Sequence, residues 1–285
     1  MFPKAQHYVP QFYLRNFAQK CKKGVLIYSY DKTTQKSFRT NIKNIGQETG
    51  FYNFETDDGK KLSNETIFWD LEFKTQKAIQ EICDAPNYLN MQMNIAILAQ
   101  FCVVQELRTP IFRDNYEFMN QQLHELFPDN EYLFSPKSKD ESTDFQGKFI
   151  IDASIEIASI LIEMKWILVR NQTANPFWTS DNPICRYNPL KNPYKSTLGL
   201  KCQGIQLFFP LSPIYLLLIC DPIGYKNESS EMEANLMNID FYNNAQAIYS
   251  QRFLFSNNNN FSLATDIISE SPKLANPKNP RIIVG

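Results

Sequence analysis

Between Met91 and Leu107 the chain is apolar nearly all round, and helical spacing of apolar residues continues from about Asn90 to Phe127. A helix that is apolar on every side is a buried one, so this pattern predicts a central helix that Pro110 breaks or kinks. Upstream, Ile67, Leu71, Ala78, Ile79 and Ile82 recur at the same spacing from Ser63 to Asp84, with Ser63 or Asn64 as N-cap and Pro86 as the stop. Downstream, residues 149–164 predict another strongly apolar helix. Ser230 with Glu233 has the form of a capping box for a helix reaching Phe241.

Strand patterns occupy the remainder. Residues 25–38 read as a hairpin, Val-Leu-Ile-Tyr-Ser-Tyr followed by a turn at Asp31 to Thr34 and a second, polar strand. Trp166 to Arg170 has strand character, and the turn from Asn171 to Pro176 leads into Phe177 and Trp178. Ile205 to Phe209 and Ile214 to Cys220, separated by Pro210-Leu-Ser-Pro213, are expected to pair in a core sheet. Residues 128–148 are polar and read as a surface loop, and the tail from Ser269, with Pro272, Pro277 and Pro280, reads as extended. This order predicts an α+β fold: a helical core packed on a small, mainly antiparallel sheet with an N-terminal hairpin, in one domain over residues 1–268.

Composition narrows the class. With 285 residues, 43% of them hydrophobic, the chain can bury a core without disulfide staples, and 22 Phe and 14 Tyr imply large aromatic layers. The six cysteines include no Cys-x-x-Cys pair and several lie in apolar runs, so they read as buried free thiols of a reducing compartment. Two histidines, His7 and His124, argue against a structural zinc. No secretory leader pattern and no apolar run of membrane-spanning length is present, so a cytoplasmic location without membrane contact is expected. Phosphate-binding Gly-rich loops, dinucleotide fingerprints, His-Glu-x-x-His and kinase motifs are missing, which disfavours nucleotide-driven motors, zincins and Rossmann oxidoreductases. The net charge of −1 hides an asymmetry: residues 1–43 hold nine Lys or Arg against Asp31 alone. Such a segment can concentrate phosphate-bearing ligands, although solvated charges balanced by acidic helices would look the same.

Four stretches stand out. They are the opening His7-Tyr-Val-Pro-Gln-Phe-Tyr-Leu-Arg15-Asn-Phe17, then Gln105-Glu-Leu-Arg-Thr-Pro110, Phe177-Trp-Thr-Ser-Asp-Asn-Pro183 and Phe209-Pro-Leu-Ser-Pro213. Together they resemble the bacterial family known as domain of unknown function 4238. The resemblance implies a shared fold but supplies no reaction, so chemistry is argued from the residues.

His7 suits proton exchange near neutral pH, or it pins the N-terminus by bonding a backbone carbonyl. Gln11 and Arg15 would share a helix face after Pro10, and Arg15 has the fork that binds phosphate or carboxylate. Gln105 and Arg108 project from one side of a helix end. Arg108 must be paired if buried, with Asp181 or Glu72 as partner, and a kink at Pro110 could turn it toward a cleft. Asp181 is the leading acid, base or metal ligand, Ser180 a weaker nucleophile and Asn182 a ligand contact, although turn chemistry alone explains residues 179–183. Glu72 could join His7 and Asp181 around one divalent ion such as magnesium or manganese. These residues motivate the expectation of a phosphoester hydrolase acting on nucleic acid or nucleotide. The alternative is a non-catalytic module that binds an anionic ligand or a protein partner.

Overall fold

Two apolar runs, 166–169 and 216–219, set the centre of the fold, because a strand with no polar side must be covered on both faces. The computed structural model, which describes residues 5–55, 61–63, 65–130, 138–190 and 197–279, shows what covers them. The chain opens with β1 (Ala5–His7), the one-turn α1 (Gln11–Leu14), β2 (Gln19–Cys21), β3 (Gly24–Asp31) and β4 (Lys36–Asn41). β3 and β4 form the expected hairpin, in register from Leu26 opposite Asn41 to Asp31 opposite Lys36. β5 (Gln47–Thr49) pairs antiparallel with β1, and β6 (Asn53–Glu55) with β7 (Lys61–Ser63). Gly46, just before β5, has a φ of +62° and a built Cβ would lie 3.1 Å from Val9 Cβ, so only glycine fits this close approach without strain.

Helices α2 (Glu65–Asp84), α3 (Gln92–Leu107), α4 (Pro110–Leu126) and α5 (Lys139–Ile162) follow. Then come β8 (Lys165–Asn171), β9 (Thr179–Ser180), β10 (Cys185–Tyr187), β11 (Gln206–Pro210), β12 (Tyr215–Cys220) and β13 (Glu231–Ala234), and finally α6 (Leu236–Tyr249), β14 (Phe253–Ser256) and α7 (Ser262–Glu270). The central sheet has the order β10-β11-β12-β8-β13 and is antiparallel except where β13 joins β8. Alternation along its strands sends Trp166, Leu168, Phe209, Leu217 and Ile219 into the core shared with α2, α3 and α5. Ile167, Val169, Phe208, Leu216 and Leu218 go the other way, under Ile239 and Tyr242 of α6. Each such side chain contributes about 1.5–3 kcal/mol, which makes this two-sided sheet the main source of stability. A second sheet, β2-β3-β14-β9 with β4 on the other edge of β3, carries the N-terminal hairpin and packs against α7.

The α+β class and the hairpin are as expected, and local reading fails where tertiary contacts override it. Residues 231–234 form no helix: they pair in parallel with Leu168–Asn171 of β8, and the helix starts after Asn235, whose capping box is completed by Asn238. A free sheet edge wins over the Ser230 and Glu233 cap. The polar stretch expected as loop to residue 148 becomes helical at Lys139, started by a capping box of Ser138 and Glu141. Its polar residues misled because Ser142 and Gln146 are buried, Gln146 as a hydrogen-bonding hub. The tail is not wholly extended either, since residues 272–275 form a 3-10 turn that buries Leu274. The proposed cap at Asn64 lies outside the described residues.

No single helix among the described residues is long and apolar enough to cross a membrane. α3 and α4 pass that test only as a pair bent by 56°, and α3 is largely buried in protein. The bend falls at Arg108-Thr109-Pro110, with Pro110 as the first residue of α4. The carbonyl of Glu106 is taken by the Thr109 hydroxyl, which donates to it at 3.0 Å. The kink does not aim Arg108 at a cleft, because its side chain has no exposed surface. Its Nε and Nη2 donate to Gln105 Oε1 at 3.0 and 2.7 Å, its Nη1 donates to Glu72 Oε1 at 2.7 Å, and the rings of Phe68 and Phe101 lie 5.3 Å from it. Gln105 Nε2 in turn donates to the Tyr8 carbonyl at 2.9 Å, so one buried network ties α2, α3 and the N-terminal segment together.

Replacing Gln105 with Leu keeps the volume but strands two guanidinium nitrogens and a carbonyl. Urea unfolding of Gln105→Leu is expected to show a loss of about 3 kcal/mol or more; a loss below 1 kcal/mol would remove the network from this central position.

Candidate functional site

Consecutive residues of an extended segment point to opposite sides, and His7 and Tyr8 illustrate this at the end of β1. His7 lines a pocket of about 180 Å3 with Gln11, Trp69 and Glu72, whereas Tyr8 lines a larger cavity of about 470 Å3. The smaller pocket brings together three expected residues, His7, Glu72 and Gln11. His7 Nε2 is sealed from solvent without a hydrogen-bond partner among the described residues. Burial holds its imidazole below the ordinary value, while the backbone at Lys43 and Ile42 and the charge of Glu72 work the other way. Glu72 is the carboxylate that pairs with Arg108, which decides between the two partners considered for that arginine.

The remaining expected residues are elsewhere. Arg15 is exposed beyond α1 and lines neither pocket. Ser180 is fully buried, donates to Gln246 Oε1 at 2.7 Å and accepts from the Asn182 amide. Asn182 Nδ2 donates to the Tyr249 carbonyl at 3.0 Å. Asp181, 2% exposed, reaches the wall of the larger cavity, but its oxygens accept the backbone N–H groups of Gln251, Arg252 and Phe253 at 2.8, 2.7 and 2.8 Å. Burial pushes this carboxyl above its usual range, and those amides together with the charge of Lys32 oppose the push. Asp181 therefore does not join His7 and Glu72 around one ion. Among the described residues no three His, Cys, Asp or Glu side chains come together as a metal-ligand group.

Instead, the motif residues are wired to one another. The Tyr13 hydroxyl donates to the Pro210 carbonyl at 2.7 Å, which leaves the Thr179 hydroxyl to donate to the Tyr13 oxygen, also at 2.7 Å. Asn16 Nδ2 donates to the Leu211 carbonyl at 3.0 Å. With Gln105 on Tyr8, these bonds hold the N-terminal segment to all three other motif stretches.

The larger cavity is built mostly from residues outside those motifs. Tyr8, the first turns of α4 (Arg113, Asp114, Glu117) and the 251–253 segment form its walls. Its volume falls within the range of about 300–1,000 Å3 usual for small-molecule sites. Several of its charges are already matched. Lys139 pairs with Glu48 at 2.7 Å, and Arg252 grips Asp31 through Nε and Nη2 at 3.0 and 2.7 Å. Arg113 is different. It is 5% exposed, and its Nε and Nη2 donate to Gln146 Oε1 at 3.1 and 2.7 Å, with Nη2 also reaching the Phe51 carbonyl and the guanidinium lying over the Phe51 ring. This repeats the way Gln105 holds Arg108, but the outcome differs at Nη1: Arg108 gives that nitrogen to Glu72, whereas Arg113 Nη1 has no hydrogen-bond or ion-pair partner among the described residues. It is not sealed from solvent, and the cavity is where Arg113 meets open space.

Burial draws the Arg113 guanidinium down from its ordinary value, with the charges of Glu48, Asp114 and Glu117 opposing. Asp114, bonded by Gln251 Nε2, is pushed up by burial and then by Glu117. Burial, followed by the Asp181 charge, pushes the Tyr8 phenol up, so its hydroxyl remains a neutral donor. Sequence reasoning passed over Arg113, Asp114 and Glu117 because an Arg-Asp pair early in an amphipathic helix reads as an ordinary solvated face. The available signal was that Arg113 lies in the first turn of a proline-started helix, five residues after Arg108.

Asp181→Ala would leave three buried amides unsatisfied. Its unfolding free energy is expected to fall by about 3 kcal/mol; a variant as stable as wild type in urea would return Asp181 to the list of functional carboxylates.

No curated protein and no solved structure matches the chain. The family described as "Protein of unknown function (DUF4238)" matches residues 5–260. Because that match takes in β1, all four motif stretches and the strand that carries Arg252's neighbours, the chain belongs to the DUF4238 family.

Proposed function

We propose that the 470 Å3 cavity captures a small molecule carrying a carboxylate or phosphate, with Arg113 Nη1 and the Tyr8 hydroxyl as donors. The observation that supports this most is the contrast between two buried arginines held alike by glutamines. Arg108 spends its last nitrogen on Glu72, and Arg113 keeps its own at a cavity wall. A desolvated guanidinium gains most from an anion that arrives in the same low-dielectric setting. The basic N-terminal segment supports nucleic acid as the carrier of that anion less well, because its exposed lysines among the described residues lie on β2, β4 and the turns beside them, and none of these lines this cavity.

The test is thermal denaturation and calorimetry with inorganic phosphate, a phosphate monoester and succinate. A saturable rise in Tm is expected, equivalent to about 2.7 kcal/mol at a hundredfold excess over Kd. Tyr8→Phe, which removes only the hydroxyl, should weaken binding roughly threefold to tenfold without loss of stability. If none of the three anions shifts the melting temperature, the reading fails.

A second reading, hydrolysis of a phosphoester in the same cavity, draws on Asp114. This carboxyl is held above its usual range at the cavity wall and is suited to exchange a proton with a bound ligand. It relocates the chemistry from Asp181 to Asp114. Wild type and Asp114→Asn would be incubated with nucleotides and with single- and double-stranded nucleic acid, with and without magnesium or manganese. Product from wild type alone is the expected result of this reading. Binding without product in every mixture leaves the cavity as a capture site.

A further inference from the structure

We infer that the ligand of this cavity is a small zwitterion, an amino acid or dipeptide with a free ammonium as well as a free carboxylate. The inference rests on the anion-capture reading and adds the second charge. Among the described residues the cavity wall holds four cations and four anions, so the charges left after internal pairing indicate what a ligand must bring. Glu48 is matched by Lys139, Arg252 by Asp31, and Asp181 by three backbone amides. On the positive side this leaves Arg113 Nη1, with Lys278 exposed at the rim. On the negative side it leaves, among the described residues, Glu117, whose side chain has no hydrogen bond or ion pair, and Asp114, whose side chain is bonded by Gln251 Nε2 alone.

Arg113 and Glu117 stand four residues apart on α4, a spacing at which opposite charges ordinarily close on each other. Here they do not, because Gln146 and the Phe51 carbonyl hold the guanidinium in place and the Phe51 ring backs it. The helix therefore presents a fixed cation and a free anion one turn apart, about 6 Å along its axis. A ligand that placed only an anion at Arg113 would lie beside Asp114 and Glu117 and bring no positive charge to them. A ligand with an ammonium close to its carboxylate satisfies both ends. An extended dipeptide, whose termini are about 7 Å apart, has the reach to offer a carboxylate to Arg113 and an ammonium to Glu117 one turn on, and an amino acid would do so with the help of the Tyr8 hydroxyl or a bridging water.

The experiment titrates the full chain, by calorimetry and thermal shift, with a pool of the twenty common amino acids and a pool of dipeptides. The same pools are repeated with N-acetylated and with C-amidated members. Expected are saturable binding of a free pool and a loss of about tenfold or more on blocking either end. Glu117→Gln, a change at a half-exposed position with no bonds to lose, should weaken the free pools by about tenfold and leave the N-acetylated pools unchanged. Equal binding of free and N-acetylated pools would overturn the zwitterion while the anion reading stands. Preference for the amidated pools would overturn both. If no pool binds, the zwitterion is overturned, and the phosphate and succinate titrations decide the anion reading separately.

Discussion

A guanidinium with no exposed surface is the constraint around which the rest of this molecule is arranged. Arg108 must be matched at every nitrogen, since an uncompensated interior charge would cost several kcal/mol and the fold as a whole has little more than that to spare. The match requires Glu72 from α2, Gln105 from α3 and the rings of Phe68 and Phe101 in one place. Gln105 can serve only because its amide end is anchored on the Tyr8 carbonyl, so the N-terminal segment becomes part of the same network. That segment has little regular structure of its own, a three-residue strand and a single helical turn. Tyr13 and Asn16 extend the network from it to residues 179 and 210–211.

The architecture was legible where periodicity and burial agree. α3 and the break at Pro110, the hairpin of β3 and β4, and the pair β11 and β12 all follow from apolar spacing and proline, because each is decided by local geometry plus a single covering partner. Reading failed where a distant partner decided the outcome. Residues 231–234 follow Ser230 with the Glu233 of a capping-box pattern, yet their backbone pairs along the edge of β8. Residues 139–148 are polar enough for a loop, yet Gln146 is buried, holding Arg113 and donating to the carbonyls of Leu107 and Thr109 at the end of α3. No pattern in a single sequence records which polar residue will be needed inside.

The candidate site was legible only in part, for the same reason. Reading motif residues as chemistry assumed that a His, Arg or Asp in a recognisable stretch is free to act. Asp181, Ser180, Asn182, Gln105 and Arg108 are instead occupied by bonds to neighbouring segments, and their role is to join loops that have no other means of satisfying buried backbone groups. His7 and Glu72 do meet in one small pocket, as expected, but the third member is Gln11, which was expected to share a face with Arg15, and not Asp181. Tyr8, passed over inside the first motif, faces the larger cavity because it follows His7 in an extended segment.

The two arginines flanking the helix break show how a scaffold and a site can share one device. Gln105 and Gln146 each use the carbonyl end of the amide to hold the Nε and Nη2 edge of a guanidinium, and the amino end to hold a backbone carbonyl at a helix end or beside β1. An amide is neutral, so it fixes the orientation of the charge without cancelling it. Cancellation is left to whatever stands at Nη1. At Arg108 that position is filled by Glu72 from a packed helix, and the network becomes structural. At Arg113 no side chain among the described residues fills it, and the residue lines a cavity. The cost of burying Arg113 is thus only partly offset within the chain. On the proposed reading a bound anion would supply the remainder, with the bend at Pro110 lying between the buried Arg108 and the cavity-lining Arg113.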